Sequence, residues 1–168
     1  MKKIYTIGHS THTLEEFIKM LQSFEIQHLV DVRGLPGSNK YPQFNKENLE
    51  VALPEVGIAY THLPLLGGRR KVHKDSKNTR WHNESFRAYA DYMETDDFEE
   101  GITQLIAIAE KENTAYMCAE ALWWRCHRSM ISDYLKAKGW EVEHIMAIDK
   151  EEPHSYTAPA RIIGDKVV

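Results

Sequence analysis

Between Met117 and Ser129 the chain reads Met-Cys-Ala-Glu-Ala-Leu-Trp-Trp-Arg-Cys-His-Arg-Ser. Both cysteines of the protein, Cys118 and Cys126, fall in this stretch with Glu120, Arg125, His127 and Arg128. A thiol placed before a helix start and beside arginines has a lowered pKa and can act as a nucleophile. The same helix start, with planar guanidinium groups near it, can hold an oxyanion. A carboxylate such as Glu120 can carry general acid or base work. The apolar run Ala115-Tyr116-Met117 precedes the stretch, and Met130, Ile131, Tyr134 and Leu135 follow it at helical spacing. The stretch therefore reads as a loop that leaves a buried strand and enters a helix, the place where open α/β sheets bind ligands.

Such a loop needs elements to hold it. Strand signals fall at 4–8, 28–33, 59–63, 114–118 and 142–146. Thr13 with Glu16 forms a capping-box pattern, and Leu14, Phe17, Ile18 and Leu21 follow at helical spacing, which predicts a helix over 14–24. Asn45 is placed to cap a short helix ended by Pro54 and Gly57. Phe86, Tyr89, Ala90 and Met93 mark another, Thr95 is placed to cap a further one, and 127–138 is helical with Gly139 just past its end. Strands and helices alternating over short links predict an α/β fold. The expected form is a single domain over 1–168 with a mostly parallel five-stranded sheet and helices on both faces. Residues 69–87 are expected to be a basic loop, with seven Lys or Arg against two acids, and 149–168 an irregular tail.

Parallel strands place their carboxyl ends on one side. His9 and Ser10, Asp31 and Arg33, His62, then Cys118, Glu120 and the Arg125–Arg128 group are thereby expected at one edge. Four chemistries compete for them. The first is anion binding by Arg33, Arg125 and Arg128 at the helix start, with His9, Ser10 and His127 around them; pairing of the arginines with Asp31 or Glu120 is the alternative. The second is a nucleophilic Cys118 or Cys126, with Asp31 or Glu120 as acid or base. Its position resembles rhodanese-like and cysteine-phosphatase loops, but the six residues between Cys118 and Arg125 are one more than a phosphatase loop has. The third is a metal held by His9, His62, Cys118, Cys126 and His127, with Asp31 and Glu120 as further ligands and no diagnostic ligand spacing. The fourth is nucleic acid, bound by the basic 69–87 run with Trp81, Trp123 and Trp124 as stacking faces.

Net charge is −4 over 168 residues, which argues against a surface that coats nucleic acid throughout. No apolar run approaches a membrane span, and the first residues read as a strand rather than a signal peptide. Two cysteines without C-x-x-C spacing indicate neither a disulfide scaffold nor a zinc ribbon, so a cytoplasmic location is expected. Cofactor, metal and oligomeric state are not specified.

Six ordered stretches are similar to one family: Thr6-Ile7-Gly8-His9-Ser10-Thr11, Val30-Asp31-Val32-Arg33, Pro42-Gln43-Phe44-Asn45, His62 through Gly68, Met117 through Ser129, and Pro153 through Thr157 with Ala160-Arg161. Together they resemble the domain of unknown function 488, from about Ile4 to Arg161. The resemblance implies a small bacterial or archaeal cytoplasmic domain with these residues as its polar signature, and no established reaction. A DNA-repair label on some relatives bears on the nucleic-acid reading. The expected function is a polar, anion-binding pocket at the strand carboxyl ends; if catalytic, it acts on a phosphate- or carboxylate-bearing substrate. The competing class is a non-catalytic nucleic-acid-binding module.

Overall fold

Strand β1, Lys3–Gly8, is buried from Ile4 onward, and β4, Thr114–Cys118, is buried throughout. A strand covered on both faces must be apolar almost continuously, which is what both sequences show. They lie at the centre of a six-stranded sheet of order β3-β2-β4-β1-β5-β6. β2 is His28–Asp31, β3 Ala59–His62 and β5 Glu141–Ala147, and all five of these strands pair in parallel. The computed structural model describes residues 2–37, 40–68, 70 and 74–157, and the backbone of 162–163 and 166–167. Arg69 and Lys71 of the basic run, and Ala160 and Arg161 of the tail pattern, lie outside the described residues.

Period-two alternation divides the core. Tyr5, Ile7, Leu29, Ala115 and Met117 meet Phe17, Met20 and Leu21 of α1 (Leu14–Ser23) and Leu49 and Leu53 of α2 (Lys46–Glu55). Ile4, Val30, Tyr116 and Val142 turn the other way, onto α3 (Glu84–Tyr92), α4 (Asp96–Lys111) and α5 (Arg128–Ala137). Helices thus cover both faces, as expected. Each fully buried Leu or Phe contributes about 1.5–3 kcal/mol of transfer free energy, and Phe17→Ala at the centre of the first layer would cost about 3–5 kcal/mol.

Helix boundaries follow local chemistry. Thr13 caps α1 by accepting from the Glu16 N–H, but the Glu16 carboxylate bonds His12. Thr95 caps α4 through Phe98 N–H, and Gly139 leaves α5 with φ +96, a conformation favouring glycine. Asn45 stands at the cap position of α2 without a side-chain cap bond, and Pro54 lies inside the last turn instead of ending the helix.

Two expectations need correction. The basic run is not a loop to Arg87, because α3 starts at Glu84 with Asn83 as its cap. The tail from 149 is irregular only in part: β6, Lys150–Pro153, pairs antiparallel with β5, and Ile162–Ile163 (β7) pairs with Lys166–Val167 (β8), while 154–157 carry no regular structure. β6 escaped notice because it is an exposed edge with no buried face, so its sequence, Lys-Glu-Glu-Pro, carries no apolar alternation. No helix among the described residues is long and apolar enough to cross a membrane.

Candidate functional site

β4 ends at Cys118, and the chain does not leave the sheet at once. His9 N–H donates to Cys118 O at 3.0 Å and Ser10 N–H to Ala119 O at 2.9 Å, extending the β1–β4 ladder past both strands. A Cβ on Gly8 would stand 1.8 Å from Glu120 O, so only glycine lets the loop cross β1 there. A single 3-10 turn, Trp123–Arg125, then returns the chain to Cys126, and α5 begins two residues later. This return brings Cys126 Sγ to 2.8 Å from Cys118 Sγ, both thiols being free.

Arg128 lies beside them with 1 % of its surface exposed. Its Nη2 donates to Glu120 O at 3.1 Å and Ala121 O at 3.3 Å, while Nε and Nη1 find no partner among the described residues. Its backbone N–H points at Cys126 Sγ at 3.4 Å. Burial raises the Cys118 thiol, but the hydrogen bond from Cys126 and the Arg128 charge outweigh it and bring Cys118 down to about 7. Burial, and then the neighbouring Cys118, push Cys126 up. The pair therefore loses its first proton around pH 7, and the negative charge is then favoured on Cys118.

Above the thiols lies a cleft of two lobes. One, of about 410 Å³, has Cys118, Cys126, His127 and Phe86 in its wall; the other, of about 520 Å³, has His9, Ser10 and Tyr41. Arg33, Leu35, Ala119, Glu120 and Arg125 line both. Arg125 and Glu120 are exposed, and neither side chain pairs with any described residue.

The sequence-predicted residues thus meet at one sheet edge, but not all are available. Asp31 is 0 % exposed and accepts from Arg33 N–H, Nε and Nη2 and from Tyr60 OH. Arg33 also donates to Phe44 O at 2.7 Å. The Arg33–Asp31 fork is the pairing alternative to anion binding, and it removes Asp31 as a free acid or base. Arg128 engages backbone carbonyls rather than the Glu120 carboxylate. The start of α5 does not present unpaired N–H groups as expected. Arg128 N–H takes Cys126 Sγ, Ser129 N–H takes Cys126 O, and Met130 and Ile131 N–H take His127 O.

The histidines are structural in their contacts. His127 bonds Val32 O at 2.9 Å, and its ring fills the space a Cβ on Gly68 would need. Burial holds it down to about 4, hence neutral. His9 stacks on Phe44 at 4.4 Å and donates from Nδ1 to Ser10 O, and burial lowers it as well. His62 bonds Arg33 O at 2.6 Å. Among the described residues no group of three or more His, Cys, Asp or Glu is arranged to hold a metal ion.

Sequence reasoning missed Tyr60 and Phe44, whose contacts depend on strand neighbours and carry no local signal. It also missed a buried chain under the loop. Thr6 Oγ1 donates to His144 Nδ1 at 2.5 Å, His144 Nε2 to His154 Nδ1 at 2.8 Å, and His154 Nε2 to Asp133 Oδ1 at 2.7 Å. Trp123 stacks on His144 at 4.4 Å, which ties the thiol loop to this chain.

A family model described as "Domain of unknown function DUF488" matches residues 13–135. The chain belongs to the DUF488 family. No curated protein and no solved structure matches it. The DUF488 match begins before α1 and runs into α5, so it takes in Asp31, Arg33 and the whole Cys118–Arg128 loop, while His9 and Ser10 precede it. DUF488 membership carries no reaction, so the chemistry rests on the cleft itself.

Proposed function

We propose that the cleft binds a small anionic ligand and that the protein is an enzyme whose nucleophile is Cys118, acting on a phosphate- or carboxylate-bearing substrate. The observation that carries this reading is the 2.8 Å contact of two free thiols beside a buried arginine, in the wall of an open cleft. Arg125 is the anchor, since it lines the cleft and its side chain has no partner among the described residues. Glu120 lines the same space and supplies the acid or base. Arg128 does not touch ligand; its charge holds the thiolate. A reduced thiol pair fits a cytoplasmic setting.

The non-catalytic nucleic-acid module finds less support. Arg70 lies over the Tyr92 ring at 3.6 Å and donates to the carbonyls of Gly67, Pro64 and Leu65. Arg87 donates to Trp81 O, and Trp81 is buried. These members of the basic run are engaged inside the domain and offer neither free charge nor a stacking face. Binding of mixed DNA or RNA that falls steeply with salt would favour the module instead.

The test is iodoacetamide labelling of native protein across pH 6–9, with and without millimolar phosphate, sulfate or a nucleoside monophosphate. Labelling is expected to concentrate on Cys118, to rise with a midpoint near 7, to be slowed by a bound anion and to vanish in Cys118→Ser. Sluggish labelling of both cysteines throughout, unaffected by any anion, overturns the proposal.

A further inference from the structure

We propose that Cys118 and Cys126 act as attacking and resolving thiols, and that the cleft reduces small anionic disulfides. The inference rests on the reading of Cys118 as nucleophile and adds a role for Cys126 and a substrate class. Two sulfurs 2.8 Å apart need to close by less than an ångström to bond, since a disulfide is about 2.05 Å long. Neither strand has to move for this. Cys126 sits on the returning loop, whose carbonyls at Glu120 and Ala121 are held by Arg128.

The bond changes balance. The Cys118 thiolate attacks one sulfur of the substrate disulfide, forming a mixed disulfide and releasing the first substrate half as a thiolate, which takes a proton from water. Cys126 then loses its proton to water or to the Glu120 carboxylate and attacks Cys118 Sγ. The Cys118–Cys126 disulfide forms and the second half leaves as a thiolate, which takes up the proton that Cys126 gave up or stays ionised if its pKa is low. The protein dithiol is oxidised by two electrons and the substrate disulfide is reduced by two. The surroundings favour this order. While Cys118 is a thiolate, its charge keeps the proton on Cys126. Once Cys118 is capped that charge is gone, and the Arg128 N–H at Cys126 Sγ and the buried guanidinium both favour a Cys126 thiolate. Arg125 in the same cleft selects substrates carrying a carboxylate.

The probe is 5,5′-dithiobis(2-nitrobenzoate), an anionic disulfide whose released thiolate is coloured. Given less than one equivalent, wild-type protein is expected to release two thiolates per reagent molecule consumed. The protein should retain no adduct and show one disulfide joining the Cys118 and Cys126 peptides by mass spectrometry. Cys126→Ser is expected to release one thiolate and keep the adduct on Cys118, with clearance at least about tenfold slower than in wild type. If wild type keeps its adduct as long as Cys126→Ser does, Cys126 is not a resolving thiol, although the nucleophile reading survives. If Cys118 does not react in wild type, both readings fall. Should Cys126→Ser not fold, the wild-type stoichiometry and peptide mapping decide alone: one thiolate with a stable adduct refutes the proposal.

Discussion

On one side of the thiol loop, Cys118 and Cys126 lie in the wall of an open cleft, with Arg125 and Glu120 in front of them, unpaired among the described residues. Beneath the loop, Thr6, His144, His154 and Asp133 form a chain in which each ring nitrogen has a partner, and none of the four is exposed. The second region contains the more familiar catalytic side chains. It has a carboxylate bonded to a histidine that is bonded in turn to another. Yet its rings bond one another, and the one side-chain atom of the four left without a partner among the described residues, Asp133 Oδ2, is itself buried. The first region has fewer such groups and leaves capacity free. Side-chain type is thus a poor guide to a site; unsatisfied bonding capacity next to solvent is a better one. The buried chain instead works as a clamp, because Asp133 Oδ1 also accepts from Thr157 N–H and so fastens the segment after β6 to α5.

The comparison breaks most visibly at Asp133. Asp133→Ala strands the buried His154 ring N–H and the part-buried Thr157 N–H, each worth about 1–3 kcal/mol, so unfolding stability is expected to fall by about 3 kcal/mol. Cys118 labelling in the protein that remains folded should change little. A near-neutral urea midpoint would show that the chain is not a clamp.

Acid acts next on two histidines, His127 in the cleft wall and His144 in the buried chain. His127 and His144 are held below the ordinary imidazole value of 6.5, at about 4 and about 2, first of all by burial. Below pH 6.5 the unfolded chain takes up protons that the native fold refuses. Stability is therefore fully present above 6.5 and declines as pH falls toward 4, by on the order of 3 kcal/mol for His127. Urea unfolding at pH 7 and pH 4 checks this, and equal stabilities would refute it.

At the open site the effects are smaller and fall on binding. Arg125→Ala is expected to weaken anion affinity by roughly ten- to a hundredfold, the worth of one charge-assisted bond. Stability should stay within about 0.5 kcal/mol because the side chain is exposed and has no partner among the described residues. Calorimetric titration with phosphate and sulfate tests both halves, and a large loss of stability would place Arg125 with the structural arginines. The smallest change is expected of Glu120→Gln. Its charge raises the Cys118 thiol slightly, so removal should move the labelling midpoint down by less than about one pH unit. An upward move would contradict the electrostatics.

Sequence alone determined the parallel sheet and the position of the thiol loop, because both depend on local signals: apolar strands buried on two faces, the Thr13 and Thr95 caps, and Gly139 after α5. It also brought Asp31, Arg33, Cys118 and Glu120 to one edge, since parallel strands leave no other choice. It could not rank them. Whether a guanidinium is free or engaged depends on groups far away in the chain: Phe44 and Asp31 for Arg33, loop carbonyls for Arg128, and no described partner for Arg125. The β6 edge was illegible because an exposed strand has no buried face to pattern. The thiol contact needed the full fold for a similar reason. Seven residues between two cysteines can hold them apart or together, and here Gly8, the Trp123–His144 stack and Arg128 fix the turn that closes the loop.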